Sequence, residues 1–269
     1  MNPDLQEALG IGSASGVTGG CIHECYKVAI KGTAFFLKCN SLRHADAFAA
    51  EAEGLSALRD AGYRAPQPRS HGVAACRAYL LMEFLHLKGR VDFPALGRMI
   101  AAAHRRTGPR FGWLRDNHIG ATPQSNKWSD DWATFWFEQR MTPQLELARE
   151  KGFSLPDVHP DLLQGHQPQP SLLHGDLWSG NVSFTPSGPV VFDPASYYGD
   201  READLAMTEL FGGFPREFYG AYNEAFPLPT GYEQRKHLYN LYHLLNHLNL
   251  FGRSYLGQVQ ETLGLLLRL

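Results

Sequence analysis

LLHGDLWSGNVSFTPSGPVVFDPASYY, residues 172–198, decides how the rest of the chain is read. Asp176 is followed five residues later by Asn181 and twelve residues after that by Asp193, with His174 two residues ahead of the first aspartate. Residues 172–173, 182–184 and 190–192 are mainly apolar, and Thr185-Pro186-Ser187-Gly188 is a turn signal between the last two. The expectation is a short loop carrying Asp176, then a hairpin that returns Asp193 beside it. Phosphoryl transfer from ATP needs such a set. One carboxylate takes the proton of the attacking hydroxyl, while an amide oxygen and a second carboxylate hold magnesium on the phosphates. The D-x4-N spacing is that of a kinase catalytic loop. Taken singly, each piece reads as a polar turn; joined, they make Asp176 the base and Asn181 and Asp193 the magnesium ligands.

The upstream sequence supplies the rest of a nucleotide site. Residues 13–20, SASGVTGG, precede a stretch of strand character over 21–30. A glycine-rich turn between strands lets backbone N–H groups approach phosphate without a Cβ in the way, which puts Gly16, Gly19 and Gly20 at ATP. The stretch has neither the Walker pattern nor a clean G-x-G-x-x-G. Lys31-Gly32 is a turn, and residues 34–38 are a second strand ending on Lys38. Such a lysine reads either as a surface side chain or as the strand lysine that contacts the α- and β-phosphates and needs an acidic partner. Residues 44–61 read as a helix with Phe48, Ala52, Leu55 and Leu58 on one face, ended by Gly62. Glu51 lies at the buried edge of that face and is the expected partner of Lys38; Glu53, pointing elsewhere, is the fallback. Residues 78–85, AYLLMEFL, read as a buried strand whose end, Met82-Glu83-Phe84, offers backbone groups to adenine.

Downstream, residues 93–106 form an amphipathic helix pattern. Residues 111–132 mix aromatic and polar groups without period, which suits a binding loop. A long helix over 130–151, broken near Pro143, follows, and further helices fall near 202–211, 216–225, 231–250 and 258–267. His243 and His247 stand four apart like a zinc-protease pair, but residue 244 is Leu, so there is no base and they read as packing or surface groups. Asp204 reads either as a brace accepting backbone N–H groups of the catalytic loop or as a solvated helix acid. The fold class is α+β and two-lobed, like a protein kinase. Residues 1–84 are a small β-rich nucleotide-binding lobe with one main helix, and 85–269 a larger, mostly helical lobe for catalysis and substrate.

The 269 residues, 43% hydrophobic and 19% charged, suffice for one large domain or two lobes with a sizeable core. A formal charge of −2 gives no basic field of the kind nucleic acid needs. No apolar run of about 18 residues occurs, and MNPDLQEALG lacks a charged-then-apolar signal pattern, so no membrane association is expected. Four cysteines, Cys21, Cys25, Cys39 and Cys76, are few for a disulfide scaffold and point to the reducing cytoplasm. Cys21-x3-Cys25 with His23 between is followed by no second pair of zinc spacing. Cys39 and Cys76 read as packing residues.

At this point the chain resembles, over nearly its whole length, the fructosamine kinases, or ketosamine kinases, among the aminoglycoside-phosphotransferase-like kinases. GGCI (19–22) is similar to that family's glycine-rich turn, EAEGLSAL (51–58) to its first helix, and DNHIGATPQ (116–124) with Asp131-Trp132 to its insertion. HGDLWSGN, FDPAS and FGGFP (211–215) are the most specific strings, and NHLNLFGRSY (246–255) resembles its tail. HGDxxxxN alone marks only the broad superfamily; Trp178 and the DPA after the hairpin narrow it. The resemblance implies ATP- and Mg2+-dependent phosphorylation of the O3 hydroxyl of a sugar joined through C1 to an amine. Fructosamine and ribulosamine adducts, small or on glycated proteins, are the substrates it implies. The phosphorylated product then decomposes and frees the amine, hence deglycation.

By position the resemblance makes Asp176 the base, Asn181 and Asp193 the metal ligands, Lys38–Glu51 the phosphate-positioning pair and Glu83-Phe84 part of the adenine hinge. Trp178, Asp131 and Trp132 would read the amine-bearing end of the substrate. Gly175 stands where protein kinases carry the arginine that reads an activation-loop phosphate, and no APE motif follows, so activation by loop phosphorylation is not expected. Two alternatives stay open: an aminoglycoside- or choline-like phosphotransferase, and a non-catalytic kinase fold serving as a binding protein. Cys21 sits in the turn over the phosphates, where free N–H groups and Lys38 favour its thiolate. Under oxidation it would pair with Cys25 or with a second molecule, giving a monomer or a redox-dependent dimer.

Overall fold

An antiparallel five-stranded sheet of order β1-β2-β3-β5-β4 opens the chain. The structure is a computed structural model that describes residues 1–17 and 23–268. A short helix, α1 (Pro3–Ala8), capped by the Asn2 side chain, precedes β1 (Ser13–Gly16), β2 (Glu24–Ile30) and β3 (Thr33–Asn40). Helix α2 (Ala45–Asp60) comes next, and β4 (Pro68–Ala74) and β5 (Arg77–Glu83) complete the sheet. The spacing read from sequence holds in α2: Phe48, Ala52, Leu55 and Leu58 are buried, in one core with Leu80 and Met82 of β5. Two differences from the sequence reading arise here. Residues 13–16, read as part of a turn, pair with β2, so Gly16 is a strand residue opposite Tyr26. Cys76, read as packing, is exposed at φ 56° in the β4–β5 turn, whereas Cys39 is buried as expected. Gly19, Gly20 and Cys21 lie outside the described residues.

Beyond Glu83 an extended segment leads into a mostly helical lobe. Its elements are α3 (Phe93–His104), a hairpin of β6 (Asn117–Ile119) and β7 (Thr122–Gln124), α4 (Trp132–Trp136) and α5 (Thr142–Glu150). Then come β8 (Ser171–Leu173), the hairpin of β9 (Val182–Thr185) and β10 (Gly188–Val191), β11 (Tyr197–Gly199), α6 (Arg201–Glu209), α7 (Arg216–Ala225), α8 (Tyr232–Phe251) and α9 (Leu256–Leu266). Helices α3 and α7 cross closely because residue 97 is glycine; a Cβ there would stand 2.4 Å from the Phe218 carbonyl oxygen. The break foreseen near Pro143 is a π-helical turn, Phe137–Met141, between α4 and α5. Among the described residues no helix is long and apolar enough to cross a membrane.

The segment 111–132 is not an open binding loop. Its hairpin buries Asn117, Thr122 and Gln124. Asn117 Nδ2 donates to the Ser196 carbonyl at 2.9 Å, and Gln124 Nε2 to that of Ala195 at 3.3 Å. Tyr242 holds Gln124 from the other side at 2.6 Å. The insertion therefore satisfies the buried backbone just past Asp193, where unpaired carbonyls would be costly. Trp132 is 1% exposed, and its indole N–H donates to the Tyr239 hydroxyl at 3.0 Å. Asp131 caps α4 by accepting from Thr134 N at 2.7 Å. Trp132, expected at the substrate, instead anchors the lobe as a core aromatic, and Asp131, also expected there, is an exposed helix cap.

Candidate active site

Strand β8 delivers His174, Gly175 and Asp176 into the cleft, and the β9–β10 hairpin brings Asp193 back to them. The histidine ties the two ends together. Its Nε2 lies 3.1 Å from the Phe192 carbonyl, and its Nδ1 accepts from Asp176 N at 3.3 Å. Those partners require a neutral ring with the proton on Nε2, and burial lowers its pKa accordingly. Gly175 has φ 81°, and a Cβ there would stand 2.1 Å from the Ala195 carbonyl oxygen, so no side chain fits. Asp204 accepts from His174 N at 2.7 Å and Gly175 N at 2.8 Å, and its Oδ2 lies 3.2 Å from His104 Nε2. Of its two readings, the brace is the one observed. Burial alone would raise its pKa; the His104 hydrogen bond and the Gly175 N–H outweigh that and hold it below the ordinary value.

Asp176 is oriented by one amide. Asn181 Nδ2 donates to its main-chain oxygen and to its Oδ2, both at 2.9 Å. Burial pushes the Asp176 carboxyl up to about 7, with Asn181 opposing and the Asp193 and Asp204 charges assisting. A carboxylate in that range is a competent proton acceptor near neutrality. With its Nδ2 so engaged, Asn181 keeps Oδ1 as a free acceptor of the amide. That oxygen and the Asp193 carboxylate are hard oxygen donors, the set magnesium prefers.

Lys38, 5% exposed, is the meeting point of sheet, helix and hairpin. Its Nζ lies 2.7 Å from Glu51 Oε1 and 2.6 Å from Asp193 Oδ1. Glu51 is thus the partner, and Glu53 pairs with Arg115 at 2.9 Å instead. Burial opposes the lysine's charge, but the two carboxylates raise its pKa above the normal range, so it stays an ammonium. Asp193 has φ 57° and a half-exposed side chain; although burial works against ionisation, Lys38 keeps its pKa low. A non-glycine residue held in the left-handed region at this place fits a position fixed for function. His23 was not foreseen here. Its Nδ1 lies 3.0 Å from Asn40 Nδ2, its ring 4.8 Å from that of Phe48, and burial followed by the Lys38 charge lowers its pKa to about 4.

The expected hinge residues, Glu83 and Phe84, lie at the end of β5 and just beyond it. The Glu83 carboxylate is clasped by Arg64 at 2.9 and 3.2 Å and by Gln67 N at 3.2 Å, while its own N–H donates to the Gln67 carbonyl at 2.9 Å. Glu83 therefore fixes the end of β5 through its side chain and N–H, and the extended chain continues from Phe84 to Gly89, whose N–H donates to the Phe184 carbonyl at 2.8 Å. Phe84 lies under Lys27 Nζ at 4.6 Å. Trp178 sits in the catalytic loop with its ring over Gly180, where a Cβ would stand 2.3 Å from it. Cys25, the suggested partner of Cys21, has its thiol pushed up to about 11 by burial, which disfavours the thiolate.

Comparison with known proteins agrees with this geometry. The model of the fructosamine kinase family matches residues 1–269. A protein of Synechocystis sp. named "Probable ketoamine kinase slr1563" is 48% identical over 264 residues, covering 94% of this chain and 90% of that one. A solved structure from Haemophilus somnus, described as "Putative fructosamine-3-kinase", superposes with a TM-score of 0.90 at 32% identity, covering 98% of this chain and 95% of the other. A solved aminoglycoside phosphotransferase in ternary complex with ADP and hygromycin B shares the fold, with a TM-score of 0.61 at 14% identity over 98% and 96% of the two chains. With its catalytic loop, its Lys38–Glu51 pair and a family match over the whole length, this chain is a phosphotransferase that belongs to the fructosamine kinase family.

Proposed function

We propose that the protein transfers the γ-phosphoryl group of ATP to the O3 hydroxyl of a ketosamine, a sugar joined through C1 to an amine. The observation that carries this reading is that the Asp176–Asn181 pair and the Lys38–Glu51–Asp193 cluster are joined through His174, which binds Asp176 N and the Phe192 carbonyl. Asp176 takes the O3 proton as that oxygen attacks the γ-phosphorus. The new O–P bond forms as the bond to the β-phosphate oxygen breaks, and ADP leaves with the electron pair. Lys38, held by Glu51, positions the α- and β-phosphates. Asn181 Oδ1 and Asp193 would hold Mg2+, which when bound neutralises phosphate charge. The segment Glu83-Phe84 carries adenine by its backbone, and residues 1–84 and 85–269 serve as nucleotide and catalytic lobes.

The test is ATP turnover against 1-amino-1-deoxyfructose, its ribulose counterpart, plain fructose, kanamycin and choline. Ketoamines are expected to be phosphorylated at O3, with fructose far behind. Comparable kcat/KM for fructose and its amine adduct, or a preference for kanamycin, would overturn the substrate assignment.

A further inference from the structure

A row of rings starts at Trp178 in the loop that carries Asp176 and ends at an exposed residue. Trp178 is two residues from Asp176, and the Phe211 ring stands 6.4 Å from it, nearly perpendicular. His247 lies 4.4 Å beyond Phe211, with Tyr255 at 5.0 Å and Phe251 at 5.5 Å from His247. Phe251, at the end of α8, is 60% exposed. These rings come from three separate stretches: the catalytic loop, the turn after α6, and the end of α8 with the corner that follows it.

Phe211 is held at some cost. Its φ is 52°, and Gly212 and Gly213 follow at 99° and 65°. Glycine takes such a backbone freely, whereas a bulky residue is strained there. The strained residue of the three is the one whose ring bridges Trp178 and His247, and retained strain of this kind accumulates at sites that bind. His247 also has a defined polarity. Its Nδ1 is engaged by the His243 carbonyl at 2.8 Å, so the proton sits there and Nε2 is a lone pair. Burial keeps the ring neutral, so it does not repel a cation. Arg253, between Phe251 and Tyr255 in sequence, stacks over Phe153 instead, 5.8 Å from its centre.

We propose that Phe211, His247, Phe251 and Tyr255 form a specificity-determining track for the substituent on the substrate's amine, selecting ketoamines with an apolar stem over those with a bare amino group. The inference rests on the ketosamine reading above. Phosphoryl transfer at O3 holds the sugar at Asp176, and the C1 amine then extends past Trp178. The protonated nitrogen meets ring faces and a histidine lone pair, and its stem lies along the remaining rings toward solvent. An open-ended row sets no upper limit on stem length, unlike a closed pocket.

The test uses the full-length enzyme, ATP, and two substrates: 1-amino-1-deoxyfructose and its N-hexyl derivative. Wild type is expected to favour the hexyl compound in kcat/KM by about tenfold or more, since even two or three buried methylenes give that much. Phe251→Ala and Tyr255→Leu should each cut this ratio about fivefold, through KM rather than kcat, while Tyr255→Phe keeps it. Phe251 is exposed, so its alanine variant serves if the Tyr255 variants fail to fold. A wild-type ratio near one, or a ratio unaltered in Phe251→Ala, overturns the track but leaves the ketosamine reading standing. Failure of wild type to phosphorylate either compound overturns both.

Discussion

Asn181 Nδ2 lies 2.9 Å from both the main-chain oxygen and Oδ2 of Asp176, so a single amide fixes the rotamer of the base. The same carboxyl is pushed by burial up to about 7. Its working form is the anion, so kcat/KM should climb with pH through about 7 and level off above. Stability runs the other way. A carboxyl whose folded pKa lies above its unfolded value binds the extra proton in the folded state, so this stabilisation is full below about pH 4 and is lost as pH rises through about 7. Asp176→Asn should abolish that slope. A pH–rate profile and urea melts at pH 5 and pH 8 check both; an acid limb near pH 4 in the free enzyme would contradict the raised value.

Asp176 and Asp193 face one cleft but should fail differently. Asp176→Asn is expected to lower kcat by roughly 10²–10⁴, the usual worth of a positioned base, with nucleotide affinity little changed. Asp193→Asn removes a carboxylate from the expected metal ligands and from Lys38, and should abolish magnesium-dependent nucleotide binding. Titrating ATP analogues with and without Mg2+ separates the two; equal affinities in both variants would refute the division.

Much of this site is legible in the chain because its parts are local. Asp176, Asn181 and Asp193 are fixed by a loop and a hairpin within 172–198, and the phase of α2 singles out Glu51. The rest depends on partners that only folding brings together. Ser13–Gly16 has weak strand propensity and becomes a strand by pairing with β2. The 117–124 hairpin has a polar interior, because Asn117 and Gln124 serve the carbonyls of residues 195–196; a buried polar set reads as a loop until its partners are known. Trp132 reads as a binding aromatic for the same reason, since its Tyr239 partner is 107 residues on. The roles of His174 and His23 are likewise set by backbone and side chains brought together only by folding.

The choice between Glu51 and Glu53 can be tested directly. Glu51→Gln removes one of two anions holding a buried ammonium, and should weaken nucleotide binding and lower kcat/KM for ATP. Glu53→Gln removes a partly exposed pair with Arg115, a contact of about 0–1 kcal/mol, and should leave nucleotide affinity intact. Isothermal titration with ADP and Mg2+ would show it; a reversed order would mean that Lys38 takes its catalytic partner from the other face of α2.

Asp204 joins stability to catalysis most tightly. Its two oxygens take the N–H groups of His174 and Gly175, and His104 approaches one of them at 3.2 Å, all out of contact with water. Asp204→Ala strands two backbone donors and an imidazole nitrogen, and should cost about 3–5 kcal/mol, the range for removing one partner of a buried pair. Asp204→Asn restores one acceptor but turns an amide N–H toward donors, so it should fall between wild type and alanine. The pH signature distinguishes a charged brace from mere packing. A carboxyl held below its unfolded value stabilises fully above that value, about 4, and the contribution disappears as pH falls through the folded one. The stability gap between wild type and Asp204→Asn should therefore be widest at neutral pH and close below about pH 4. Because the brace sits directly behind Asp176, kcat should drop in Asp204→Asn while ADP affinity holds. A gap independent of pH, with kcat unchanged, would reduce Asp204 to a packing residue.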